Sequence, residues 1–284
     1  MSTELVLVPL WKRAGFARAC LLRLAAAQDH YLEKTGSQVY FRLLLDEGHT
    51  QDVERVAMDF ARSVPVVEIV RRRFRQGRGN SGNLLMGLRE AAAGGWDRTH
   101  IVEEDVFVSD GYFSFHDQAH RMAPEAFAVS ACRNQNAENV DLGPGGLWRH
   151  PSYQSLGVSL SPDSVRSVVP HVRDEYFKDM IGYCRRYFPK SVIPAPHAEQ
   201  DGLLNRLRER AGMYTVYPSV PRAYHAGFAG YNRPGKTVLS GTAHEQAMTL
   251  LAYSSADLNA MAAPEFQDIE VSPLDFVADL AVIL

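Results

Sequence analysis

His100-Ile101-Val102-Glu103-Glu104-Asp105-Val106-Phe107-Val108 sets three carboxylates side by side inside an apolar run. An unpaired charge buried among β-branched neighbours costs several kcal/mol, so the triplet is a poor strand interior. At a strand end that opens into a cleft, the same acids suit a divalent cation, which accepts charge the apolar surroundings cannot. A cation held that way can grip a diphosphate. The alternative is a solvated acidic turn, the usual fate of a charge run.

Two further stretches carry chemistry. Arg71-Arg72-Arg73-Phe74-Arg75-Gln76-Gly77-Arg78-Gly79-Asn80-Ser81-Gly82-Asn83 is a glycine-rich basic loop ahead of a helix from Asn83 to Ala93. Backbone N–H groups and guanidinium forks both suit phosphate. A solvated basic loop and a contact for DNA or RNA are its alternatives. His197-Ala198-Glu199-Gln200-Asp201 opens an amphipathic helix from Gly202 to Arg210 and places two carboxylates at its start. There a carboxylate either takes a proton from an attacking hydroxyl or caps the helix.

The elements that must position these residues alternate along the chain. Leu5 to Leu10 is a continuous apolar run, the pattern of a strand covered on both faces, and a helix follows from Gly15 to Gln28. Val39 to Leu45 is the next strand, ending at Asp46-Glu47-Gly48-His49-Thr50, with a helix from Gln51 to Arg62 and a strand from Pro65 to Val70. This order predicts an α/β fold: a mostly parallel central sheet flanked by helices, forming a single globular unit. Ligands in such sheets sit beyond the carboxyl ends of the strands, where both Asp46 and the acidic triplet fall. Residues 1–125 make the half ending after the triplet, and 126–284 the second half of one continuous domain. The second half opens on a strand from Ala126 to Cys132. A glycine-rich loop from Asn134 to Gly146, a helix starting at Ser161, a helix from Tyr176 to Tyr187, a strand from Tyr214 to Tyr217 and a helix from Thr242 follow.

The bulk numbers narrow the class. With 284 residues, 46% hydrophobic and 22% charged, the chain can bury a sizeable core, and a net charge of -3 gives no general pull towards nucleic acid. Cys20, Cys132 and Cys184 are odd in number and far apart, so they show neither a disulfide framework nor zinc spacing and fit a reducing compartment. The apolar run at the start is too short for a signal sequence or a membrane span, and no later stretch reaches that length. The expectation is a soluble, cytoplasmic protein with no membrane partner.

Taken together, the motifs resemble the GT-A glycosyltransferases, and among them the N-acetylglucosaminyltransferases that begin complex N-glycan branching. Leu45-Asp46-Glu47-Gly48-His49-Thr50 is similar to that family's Gln-Asp-Cys-Gly-His-Glu segment. Ile101 to Val108 is similar to its Val-Val-Glu-Asp-Asp-Leu-Glu-Val metal motif, with Glu104 where the family has aspartate, and Tyr112-Phe113 matches the aromatic pair that follows. Val220-Pro221-Arg222-Ala223-Tyr224-His225-Ala226-Gly227 is similar to a Ser-Arg-Thr segment leading into a glycine-rich loop. The likeness covers residues 5 to 235. It implies a GT-A-type, Rossmann-like fold and a metal-dependent, inverting transfer of a sugar from a UDP-sugar to a hydroxyl.

On that resemblance Asp105 is the direct ligand of Mn²⁺ or Mg²⁺, Glu104 holds a metal-bound water or the ribose, and Glu103 faces inward or pairs with an arginine. Asp46 accepts from the uracil, against the alternative of an N-cap for the Gln51 helix. His49 stacks near the base or caps the turn, and Arg72, Arg78 and Asn80 are candidates for the donor's phosphates or ribose. Asp201 is the base, since Glu199 to Leu204 resembles the family's Asp-Asp-Trp segment, with Glu199 the second choice. His225 is a candidate metal or pyrophosphate ligand, although a lone histidine after an aromatic is more often structural. The acceptor is unnamed; modified DNA, glycosylated on a hydroxylated base as some phage enzymes do, and a glycan are both open. A nucleotidyltransferase would carry a glycine-rich loop after the first strand, where this chain has one glycine, Gly15. The non-enzymatic alternative is a nucleic-acid-binding protein built on Arg71 to Arg78.

Overall fold

The computed structural model describes residues 3–73, 79–132 and 146–225, with the backbone of 276–277. The first half runs β1 (Glu4–Leu10), α1 (Ala14–Thr35), β2 (Val39–Leu45), α2 (Gln51–Ser63), β3 (Val67–Arg71), α3 (Gly79–Ala91), β4 (Arg98–Ile101), β5 (Val106–Val108) and α4 (Tyr112–Met122). The second runs β6 (Ala128–Ser130), β7 (Leu147–His150), β8 (Val158–Leu160), α5 (Pro162–Val168), α6 (Asp174–Lys178), α7 (Met180–Tyr187), α8 (Gln200–Ala211), β9 (Thr215–Pro218), β10 (Ala223–His225) and β11 (Phe276–Val277). One sheet takes the order β11-β7-β9-β6-β8-β4-β1-β2-β3, and β10 pairs with β5 in a separate ribbon. Strands β4, β1, β2 and β3 are mutually parallel, while β8 runs antiparallel between β4 and β6. The expected α/β architecture is the one observed, a single unit with helices on both faces of a mostly parallel sheet.

The unbroken apolar run of β1 has a plain cause. Successive side chains of a strand point to opposite faces. Val6, Val8 and Leu10 join a core with Phe16, Cys20 and Leu24 of α1, Val53 of α2 and Phe113 of α4. Leu5 and Leu7 join a second core with Leu84, Leu85 and Leu88 of α3, Val165 of α5 and Leu203 and Leu204 of α8. All three cysteines are buried free thiols, as expected of small core residues.

The elements depart from the sequence pattern in three places. Helix α1 continues past Gln28 to Thr35, because Tyr31 still packs inward and donates its hydroxyl to Glu4 Oε1 at 3.0 Å. Gly36, at φ 69°, then ends the helix and donates its N–H to Leu32 O at 2.8 Å. Helix α3 begins at Gly79, so Gly79 to Gly82, expected as loop, form its first turn, while residues 74–78 of that stretch lie outside the described residues. The helix expected from Tyr176 to Tyr187 is broken at Asp179, whose carboxylate caps α7 by accepting from Gly182 N at 2.8 Å. A side chain that satisfies the backbone this way competes with continuing the helix. The loop expected at 134–146 lies almost wholly outside the described residues, and the helix expected from Thr242 lies outside them entirely. Among the described residues, no helix is long and apolar enough to cross a membrane.

Beneath the sheet lies a buried polar network. Glu4 accepts from Arg98 Nη2 at 2.7 Å and from His100 Nε2 at 2.8 Å. The Ser159 hydroxyl sits between His116 Nδ1 at 2.6 Å and His120 Nε2 at 2.7 Å. Burial alone would raise the Glu4 carboxyl, but His100 and Arg98 outweigh it and hold it down at about 2. Burial depresses the histidines, His120 to about 3, so they are neutral in the folded protein. Both effects have one sign. The unfolded chain binds more protons than the folded one, so stability is full above the ordinary histidine range. It is lost stepwise as pH falls below the ordinary histidine range, towards 3 for His120, and from ~4.5 towards 2 for Glu4. Melting temperature measured from pH 8 to pH 3 should therefore fall monotonically. Glu4→Gln, which takes one of two carboxylates from Arg98 and leaves it Asp117 at 2.7 Å, should cost about 1–3 kcal/mol at pH 7; an unchanged melt would show that the Glu4 charge contributes nothing.

Candidate active site

The sheet's strand order reverses about β1, with β2 on one side and β4 on the other. A crevice opens at such a point beyond the carboxyl ends of the strands. Chain segments leaving β1, β2 and β4 supply Trp11 to Arg13, Asp46 to Thr50 and Val102 to Asp105 respectively. The acidic triplet is not part of a strand. Val102 N still donates to Leu7 O at 3.1 Å, and then Val106 N donates back to Glu103 O at 2.9 Å, closing a turn between β4 and β5. That turn sends the three carboxylates in two directions.

Glu104 and Asp105 point to Arg13, which the sequence reading passed over. Its Nε donates to Glu104 Oε1 at 2.6 Å and its Nη1 to Asp105 Oδ2 at 2.8 Å, while Trp11 N donates to Glu104 Oε2 at 2.9 Å. Nε2 of His225, carried on β10, stands 3.6 Å from the same Asp105 oxygen. The two acids respond differently. Burial raises the Glu104 carboxyl, with Arg13 only moderating the rise. Burial also acts on Asp105, yet His225 and Arg13 together overcome it and hold that carboxyl below the usual range, so Asp105 is ionised. Asp105 Oδ1 is buried and has no hydrogen-bond partner. The sequence signal for Arg13 was its place, beside Lys12, at a strand-to-helix switch just after an apolar run.

Glu103 turns the other way, towards α8. Ser155 donates its hydroxyl to Glu103 Oε1 at 3.2 Å. Burial first, and then the charges of Asp201 and Asp105, push the Glu103 carboxyl up to about 8. Burial likewise raises Asp201, whose Oδ1 is a second shielded oxygen without a partner. Tyr153, buried beside both acids, has an unpartnered hydroxyl, and their charges add to the burial that raises it. Asp201 lies in the first turn of α8, and the N-cap is Glu199, which makes no side-chain cap bond and is exposed. The N-cap alternative for Asp201 therefore drops out, and the two acids differ sharply in setting. The start of α8 is held in place by Arg206, which donates to the carbonyls of His197, Gly202, Ile193 and Pro194. Gly202 leaves no room for a Cβ against His197 O.

Asp46 is buried at the end of β2 and its Oδ1 accepts from Glu47 N at 2.8 Å; burial raises its carboxyl. It does not cap α2. Thr50 does, accepting from Val53 N at 3.3 Å. His49 is bound within the turn, with Nδ1 donating to Asp46 O at 2.8 Å. Arg72 places its fork on both oxygens of Glu90 at 2.6 and 2.7 Å, and Arg71 pairs with Glu54 at 2.7 Å. Asn80 sits half-buried in the first turn of α3, next to Ser81, whose hydroxyl bonds Gln200 of α8. Arg78 lies outside the described residues.

A divalent cation fits at Asp105. Mg²⁺ and its analogues are commonly held by one or two carboxylates, with phosphate oxygens and water completing the shell. The partnerless Oδ1 and the neighbouring imidazole are donors of that kind. No group of three such side chains forms a ready-made cage among the described residues, so the remaining ligands would be the diphosphate's own oxygens and water.

No family model matches the chain, and no curated protein does. Among solved structures it is similar to the crystal structure of an active-site mutant of LgtC, with a TM-score of 0.45 and 12% identity over 87% of this chain and 94% of that chain. A likeness at that level carries no conclusion.

Proposed function

We propose that the chain is a GT-A-type glycosyltransferase that moves a sugar from a UDP-sugar to a hydroxyl with inversion. One observation supports this above the others: two partnerless, shielded carboxylate oxygens, on Asp105 and Asp201, flank Glu103, which feels both charges. A carboxylate on the metal side and another across from it are what an in-line displacement needs. When bound at Asp105, with His225 beside it, Mn²⁺ or Mg²⁺ would supply the charge that stabilises the departing diphosphate. Arg13 adds a fixed cation on the same side. The acceptor oxygen forms a bond to the sugar's anomeric carbon while the carbon–oxygen bond to the diphosphate breaks, its electron pair leaving with the diphosphate. The acceptor's proton passes to Asp201. Asp46, at the end of β2, reads the uracil.

A donor panel tests this reading: UDP release from UDP-glucose and UDP-N-acetylglucosamine, with and without Mn²⁺, against hydroxylated-base DNA, glycan and peptide acceptors. Metal-stimulated release with one acceptor is the expected result; no UDP binding under any condition would sink the reading. Asp46→Ala should weaken UDP binding by about 1–3 kcal/mol and blur the preference for uridine over cytidine diphosphate, measured by calorimetry. Unchanged preference would remove Asp46 from the base contact.

A further inference from the structure

We propose that Arg13 sets the charge of the cation site, so that the site takes up its divalent cation together with the diphosphate and not alone; this rests on the transfer reading above. The guanidinium bridges two acids of the turn. Its Nε donates to Glu104 Oε1 at 2.6 Å and its Nη1 to Asp105 Oδ2 at 2.8 Å. Trp11 N donates to the other Glu104 oxygen at 2.9 Å, so both oxygens of that acid are engaged. Asp105 Oδ1 is left as the buried oxygen without a partner. A cation arriving there shares its carboxylate with a guanidinium whose charge is permanent. The side chains are 21% exposed for Arg13, 6% for Glu104 and 7% for Asp105, so the three charges are poorly screened. His225 Nε2, 3.6 Å from Asp105 Oδ2, faces the same carboxylate.

The arginine is fixed from several sides. It is the N-cap residue of α1, and its carbonyl accepts from Ala17 N at 2.9 Å. Its Cζ lies 5.3 Å from the centre of the Phe16 ring, which stacks on Phe107 of β5 at 6.2 Å. The guanidinium and the acids it bridges therefore share one packed frame. The consequence follows from sign. Glu104 and Asp105 would otherwise present two negative charges to a cation, and the guanidinium offsets one of them. Arg13 repels a dication and attracts a diphosphate, each the more strongly in a partly buried crevice. No group of three metal-ligating side chains stands ready among the described residues, so the charge that completes the site has to arrive with the ligand. A nucleoside diphosphate brings it, along with oxygens that fill the cation's shell.

The test is calorimetry at low salt on wild type, Arg13→Gln and Arg13→Lys. Each is titrated with Mn²⁺ alone, with Mn²⁺ in saturating UDP, and with UDP in chelator. Wild type should bind Mn²⁺ alone at least about tenfold more weakly than in UDP. Arg13→Gln should bind Mn²⁺ alone about tenfold more tightly than wild type, and UDP in chelator about tenfold more weakly. Those opposite signs mark a charge effect, since a variant damaged in folding loses both ligands. Arg13→Lys keeps the charge without the fork and should keep the wild-type preference. A wild type that binds Mn²⁺ equally well with and without UDP would overturn the proposal, whatever the variants do. So would a wild-type Mn²⁺ affinity in Arg13→Gln, or an equal gain in both variants. A wild type that binds no UDP under any of these conditions would overturn the transfer reading itself.

Discussion

Asp105→Asn abolishes turnover and the metal-dependent part of UDP binding while the protein stays folded. The expectation follows from how Asp105 is held. Its Oδ2 is engaged by Arg13 at 2.8 Å and faced by His225, which keep it ionised, while its buried Oδ1 has no partner. A charged oxygen shielded from water with nothing to bind is costly unless a ligand arrives. Asparagine keeps the shape and removes the charge a divalent cation needs. Arg13 retains Glu104, at 2.6 Å, so the turn between β4 and β5 keeps a partner. Calorimetry with UDP, in Mn²⁺ and in chelator, reads the result. Wild type should bind more tightly in Mn²⁺, and the variant should show no difference between the two. An unchanged metal-dependent affinity would place the cation elsewhere.

Asp201→Asn should cut transfer by roughly 10²–10⁴ and leave UDP binding nearly intact, because the base acts on the acceptor and not on the nucleotide. Slow donor hydrolysis should persist. The variant should also be at least as stable as wild type. Burial raises this carboxyl and Glu199 adds to the rise, so the charged form is held against its preference. Sites built for activity often carry such a cost, and removing the charge relieves it. A higher melting temperature together with lost transfer would identify a functional acid. Glu199→Gln is the control. Glu199 is exposed at the N-cap, and its neutralisation should leave the rate near that of wild type. Should the control be dead and Asp201→Asn active, the base is Glu199.

The sheet and its helices were legible in the chain because the signals are local. The apolar run of β1 and the alternation of strand and helix up to β3 required only periodicity. The same holds for placing Asp46 and the acidic triplet at strand ends, since the order of elements puts them there. What folding alone decided is which way each acid faces. Three adjacent residues in a turn have side chains in divergent directions, and the directions depend on what packs around them. Arg13, far away in sequence, draws Glu104 and Asp105 to one side, while Ser155 and Asp201 receive Glu103 on the other. No spacing rule links those segments. Likewise Arg72, equal to its neighbours in the basic run, is set apart by a two-pronged pairing with Glu90. The choice between Glu199 and Asp201 was also undecided by pattern, as both are acids at a helix start. Burial separates them: α8 turns Asp201 towards the acidic turn and leaves Glu199 in solvent. Charge and periodicity are written along the chain, whereas desolvation and pairing exist only after distant segments have met.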